Sequence, residues 1–210
     1  MIDEQCLQAI TGDWAGLEIA PVPMEPEDEA VVIFTSGTTG GPKGALHTQR
    51  SLATSAVSID YALRSSAENQ ALSATTEQVQ PQKMPASLLV FPLFHSSGMM
   101  GTVLPAMRHG RRLATVRKWN VEEVGTLIDR EAVMGMSGSP TMFWDLAEAK
   151  RAGRFSLASL KHCGVAGQAL TSSLLHDLCE AFPGVAFGTG YGLTEGGAAV
   201  SAILGDDLIQ

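Results

Sequence analysis

The chain has 210 residues, a net charge of -8, 45% hydrophobic residues and only 17% charged ones. That composition supports a sizeable core and argues against an extended nucleic-acid or anionic-lipid surface, while leaving room for a local basic pocket. Cys6, Cys163 and Cys179 stand at unrelated spacings, so neither a disulfide framework nor a metal knuckle is visible; no leader or membrane-length stretch is visible either, which fits a cytoplasmic protein.

Residues 1–29 read as an acidic, Pro-rich lead-in. They carry eight carboxylates and no Lys or Arg, and Pro21, Pro23 and Pro26 interrupt any regular element. From residue 30 to 210 short apolar runs alternate with helical periods. Strands are predicted at 30–35, 87–92, 111–116, 132–136, 160–165 and 184–187. A helix is predicted over 46–62, and the stretch from Glu68 to Pro85 reads as a surface excursion. Asn120 with Glu123 forms a capping box for a helix striped by Val121, Val124, Leu127 and Ile128. A helix over 141–149 carries Trp144, and Thr171 caps another with Leu174, Leu175, Leu178 and Phe182 inward. After Gly197 thirteen residues remain, with no further element that would close the far side of a crevice. Strands separated by such helices build βαβ units, so the fold class is α/β, a layered and mainly parallel sheet flanked by helices.

Three loops follow apolar strands and carry chemistry-bearing side chains. The first, Thr35 to Gly44, reads T-S-G-T-T-G-G-P-K-G. Its glycines (Gly37, Gly40, Gly41, Gly44) let backbone amides approach an anion, Ser36, Thr38 and Thr39 offer hydroxyls, and Lys43 offers a mobile cation. It is not the usual P-loop, because Pro42 precedes Lys43 and no Ser or Thr follows it. A phosphate cradle and a Gly/Thr-rich surface turn both fit. The second, Phe91 to Gly98, places His95 just past a strand, with Met99, Met100, Leu104 and Met107 following as an adaptable apolar surface. His95 reads as a boundary histidine bonded to backbone or as a ligand contact, with no partner that would make it a general base. The third, Gly188 to Gly196, offers Tyr191 for a ring, Thr194 for a phosphate oxygen and Glu195 for Mg²⁺; a structural turn capped by Glu195 fits equally. Arg108, His109, Arg111 and Arg112 read as surface charge, and Trp119 and Trp144 as packing residues.

Taken together, these loops resemble the adenylate-forming (AMP-binding) superfamily, and most closely its acyl-CoA synthetases. Thr35–Gly44 resembles its phosphate loop, Phe91–Gly98 its histidine/aromatic motif, Val165-Ala-Gly-Gln-Ala-Leu170 its adenine-contact loop and Gly190–Glu195 its nucleotide/Mg motif. The resemblance implies a carboxylic acid activated by ATP to an acyl-adenylate and then passed to a thiol, usually that of CoA. It implies that Thr35, Ser36, Gly37, Thr38, Thr39, Gly40 and Lys43 hold phosphates, and that Gly167 and Gln168 border adenine. Tyr191 would stack on the ring, Thr194 contact phosphate and Glu195 ligate magnesium, with Lys43, Thr194 and Glu195 serving the chemistry. His95, Met99, Met100 and Gly190 would line the acyl and thiol path. The apolar methionines fit a fatty or other apolar acid. The same resemblance implies regions that these 210 residues do not show, so the chain corresponds to the central part of the family's large domain. As an isolated piece it is expected to adenylate poorly and to self-associate through exposed apolar surface. A non-catalytic nucleotide-binding or interaction module is the alternative. Its expected partners are small molecules (ATP, Mg²⁺, a carboxylic acid and CoA), without nucleic acid.

Overall fold

The computed structural model describes residues 20–37, 40–71, 84–204 and 208. Thr38, Thr39, Cys6, and most of the acidic lead-in and of the 68–85 excursion lie outside the described residues.

The chain enters through an antiparallel hairpin, β1 (Glu29–Thr35) and β2 (Lys43–Thr48). Its register sets Val31, Ile33 and Thr35 opposite His47, Ala45 and Lys43. Alternation along the pleat puts these six on one face, where Ile33 and His47 are buried. The other face presents Val32, Phe34 and Leu46 to solvent. Two corrections follow. The first strand pairs in this separate sheet and does not join the parallel one. The predicted 46–62 helix begins later, as α1 (Gln49–Ala71), because the chain reverses at Gly40 and Gly41 and residues 43–48 are taken into the ladder with β1. Thr48 then ends the strand and starts the helix, its Oγ1 accepting from the Ser51 amide at 3.3 Å.

The main sheet has six strands: β3 (Ala86–Leu89), β4 (Arg112–Thr115), β5 (Val133–Gly138), β6 (His162–Val165), β7 (Ala186–Tyr191) and β8 (Ser201–Leu204). Their order is β4-β3-β5-β6-β7-β8, parallel from β4 to β7, with β8 antiparallel on the edge. β8 is an edge strand that the predicted strands did not include. Gly197 takes φ 74°, in the left-handed region that glycine adopts without penalty, and the chain turns back there onto β7.

Right-handed crossovers decide which face each helix covers. From β3 the chain steps outward to β4, through α2 (Ser96–Gly98), a π turn (Met99–Val103) and α3 (Leu104–Arg108), an element the sequence pattern did not reveal. It then steps back across β3 to β5 and on to β6 and β7, through α4 (Val121–Glu131), α5 (Pro140–Arg151) and α6 (Ser172–Ala181). The reversal sends the first connection to one face and the other three to the opposite face. α4, α5 and α6 enclose the core, in which Val124, Ile128, Phe143, Leu146 and Leu178 meet Leu88, Met136, Cys163 and Phe187. Phe143 and Phe187 pack edge to face at 5.9 Å.

The helix starts follow their sequence signals. Asn120, Ser139 and Thr171 each accept from the backbone amide three residues on. Between α5 and β6, Leu157 holds a positive φ of 51° because the Asp129 carboxylate accepts from the Ser156 and Leu157 amides at 2.9 and 2.7 Å. Trp119 donates its indole N–H to Asp145 at 2.8 Å, and Trp144 is 44% exposed. Of the basic run, Arg112 is bound into the fold, donating to the carboxylate and the carbonyl of Glu131 at 2.6 Å each.

Candidate functional site

Five parallel strands end at the same edge, so the loops that leave their carboxyl ends are neighbours. The register aligns Gly138, Val165 and Thr189 across β5, β6 and β7. Just beyond that line the Ala166 amide donates to Gly138 at 2.9 Å, and the Thr189 hydroxyl donates to the Val165 carbonyl at 3.1 Å. These bonds tie Gly167 and Gln168, at the end of β6, beside Gly190, Tyr191, Thr194 and Glu195, at the end of β7. Gln168 and Glu195 are exposed, Tyr191 is 66% exposed and Thr194 is half-buried.

The hairpin reaches the same place from the other side. β2 packs on the 3-10 turn Thr194–Gly196, and α1 packs on β8. Contact is close enough that a Cβ on Gly197 would run into Ser55 Oγ of α1. The turn bearing Glu195 and the strand that starts at Lys43 are therefore adjoining elements. At the loop itself Gly37 takes φ 66°, and a Cβ there would strike the Gly41 carbonyl. The Thr35 hydroxyl closes the base of the loop by donating to the Lys43 carbonyl at 3.4 Å, while Ser36, Gly40 and Lys43 face solvent.

His95 and Met99 belong to the loop after β3, separated from β6 by β5. His95 is exposed and its Nδ1 accepts from the Ser97 amide at 3.2 Å, capping α2; a neutral ring therefore carries its proton on Nε2. Met99 is half-buried and Met100 completely buried. Cavities of about 260 and 430 Å³ lie elsewhere, between β4 and α4.

Three groups shifted by their surroundings lie off this edge. Hydrogen bonds from Arg130 and Arg112 hold the Glu131 carboxyl below its ordinary value. Burial, then Arg111 and Lys161, lower the His162 imidazole, and burial pushes the Cys163 thiol up.

Among the described residues no three His, Cys, Asp or Glu side chains converge on a metal site. A lone carboxylate at Glu195 still fits magnesium, which binds through one or two carboxylates together with substrate phosphates and waters.

The profile of the AMP-binding enzyme family matches residues 2–209. The chain belongs to that family. It is 31% identical over 182 residues to 4-chlorobenzoate–CoA ligase of Pseudomonas sp. (strain CBS-3), covering 86% of this chain and 31% of that protein. It is 30% identical over 187 residues to 4-coumarate–CoA ligase 4 of Arabidopsis thaliana, covering 89% and 30%. The chain thus spans about a third of the length of the curated relatives it matches. Among solved structures it superposes on the N-terminal domain of FACL13 from Mycobacterium tuberculosis with a TM-score of 0.74 at 20% identity, over 98% of this chain and 46% of that one. It also superposes on Bacillus subtilis O-succinylbenzoate Coenzyme A synthetase, in complex with ATP and magnesium ion, with a TM-score of 0.66 at 26% identity, over 86% and 33%. The first likeness establishes the fold. The curated relatives in that family are CoA ligases, enzymes that join an acid to the thiol of CoA.

One residue at this junction was missed in the sequence. His47 falls inside the predicted 46–62 helix, and only the alternation Lys43, Ala45, His47 hints at a strand with that face inward.

Proposed function

We propose that this chain supplies the nucleotide-gripping part of an acyl-CoA synthetase acting on a fatty or other apolar carboxylic acid. The observation that supports the reading is the packing of β2, the strand that leaves the Thr35–Gly44 loop, on the Thr194–Gly196 turn. Ser36, Gly37, Thr38, Thr39, Gly40 and Lys43 would hold the phosphates, with Thr35 closing the loop. Gly167 and Gln168 would border the base, Tyr191 would stack on it, and Thr194 would touch phosphate. Glu195 would hold magnesium, which supplies charge neutralisation between the phosphates when bound. His95, Met99, Met100 and Gly190 would line the acyl and thiol path.

In the reaction a carboxylate oxygen bonds to the α-phosphorus of ATP while the bond to pyrophosphate breaks. The thiol sulfur of CoA then bonds to the acyl carbon while the bond from that carbon to the AMP oxygen breaks, and the thiol proton passes to solvent. Both steps join anions or strong dipoles, so aligned donors and the Lys43 cation do more than acid–base groups. Tyr191, Lys43 and Glu195 stand open to solvent. Water is not excluded from that edge, so the isolated 210 residues should bind nucleotide and turn over poorly.

The same openness favours the second reading, a module that binds nucleotide without catalysis. We also propose that residues 30–210 form one part of the family's large domain and that the exposed hairpin face promotes self-association. A cytoplasmic setting is part of this proposal; no described helix is long and apolar enough to cross a membrane.

Calorimetric titration with ATP–Mg²⁺ tests the nucleotide reading. Lys43→Ala and Glu195→Ala should each weaken binding at least tenfold, the scale of a lost charge-assisted contact. Unchanged affinity in both would mean that these loops do not meet around the nucleotide.

A further inference from the structure

His47 carries the only buried side-chain nitrogen or oxygen without a partner among the described residues, its Nε2. The residue is 3% exposed, and buried polar atoms are almost always paired because an unpaired one has lost its water for nothing.

Neighbouring bonds assign the ring proton to one nitrogen. Ser51 has one hydroxyl proton, and it donates to the Thr48 carbonyl at 3.1 Å. With that proton on the Thr48 carbonyl, the 3.2 Å contact between His47 Nδ1 and Ser51 Oγ is assigned from the ring to the serine. Nδ1 carries the hydrogen in the neutral ring, and Nε2 is a bare acceptor in need of a donor.

His47 lies on the same face of β2 as Lys43, four residues along, which is about 13 Å at the strand rise. It cannot touch phosphates that Lys43 reaches. His47 is tied to α1 through Ser51, and its strand β2 packs on the Thr194–Gly196 turn. That turn offers donors: the Gly196 and Gly197 amides are used within the turn, whereas those of Thr194 and Glu195, its first two residues, find no acceptor among the described residues.

We propose that His47 is a positioning residue of the nucleotide site, a latch whose Nε2 accepts from the Thr194 or Glu195 amide when nucleotide is bound. The bond joins the phosphate-loop strand to the metal-holding turn and so fixes Lys43 relative to Glu195. This inference rests on the nucleotide reading above, and the control variant separates the two.

The test pairs ATP–Mg²⁺ calorimetry with thermal unfolding of the nucleotide-free chain, for wild type, His47→Leu, His47→Gln and Lys43→Ala. Leucine fills the imidazole's space without an orphaned acceptor. His47→Leu should melt at or above the wild-type temperature yet bind ATP–Mg²⁺ about fivefold more weakly, the worth of one ordinary hydrogen bond. His47→Gln, whose amide oxygen reaches the Nε2 position, should recover most of that loss. In the wild type the Nε2 nitrogen resonance should move upfield on adding ATP–Mg²⁺, as an acceptor nitrogen does when bonded. Wild-type affinity in His47→Leu while Lys43→Ala is impaired overturns the latch alone. A His47→Leu chain that unfolds or melts well below wild type makes the histidine a packing residue and also overturns it. A wild-type chain that does not bind ATP–Mg²⁺ overturns the nucleotide reading and the latch together.

Discussion

His162 opens β6 half-buried, with Arg111 and Lys161 near enough to oppose a further positive charge. Burial first, and those two cations next, hold its imidazole below the ordinary value of 6.5. The folded chain therefore binds fewer protons than the unfolded one as pH falls past 6.5. Stability from this site is fully present above 6.5 and is lost as pH drops toward the lower folded value. Denaturant midpoints measured across that window should fall for wild type and stay flatter for His162→Gln; parallel curves would contradict the assignment. Some single residues were legible in the sequence for a local reason. Asn120 and Thr171 cap helices because their short side chains reach an amide three residues on, and that depends on nothing distant. His47 was not legible, since its meaning depends on Ser51 and on a turn nearly 150 residues later.

The hairpin β1–β2 shows the same limit at the scale of an element. Ala45, Leu46, His47 and Thr48 have no strong strand preference and precede a true helix, so local pattern favoured a helix starting at 46. Antiparallel pairing with β1 overrode it, since the ladder satisfies backbone groups that the reversal at Gly40 and Gly41 brings together. The parallel strands were easier to read because they are short apolar runs, buried at every position in β3, and α4 to α6 because their apolar positions recur at the helical period. Pairing also left the hairpin with a bare outer face. Val32 is 48% exposed, Phe34 71% and Leu46 52%, and a two-stranded sheet has nothing of its own to cover them. Light scattering across a concentration series should show self-association that Phe34→Ser reduces. A monodisperse monomer at every concentration would remove this face as an association surface.

Across the whole molecule, one topological fact organises the site. The order β4-β3-β5-β6-β7 makes the chain reverse direction at β3, so the loops after β3 and β5 leave for opposite faces of the sheet at its carboxyl edge. The loop motifs were readable because glycines, hydroxyls and single charges cluster after apolar strands. Their convergence was not, because it is set by strand order and by the docking of β2 on a turn distant in sequence. The AMP-binding family membership gives that convergence its chemical sense. The measurement that tests it most directly is amide chemical-shift mapping of the chain on titration with ATP–Mg²⁺. The account predicts saturating changes, with one shared affinity, in residues 36–44, 166–168 and 190–196. Changes confined to a single one of these loops, or centred on the cavities between β4 and α4, would contradict it.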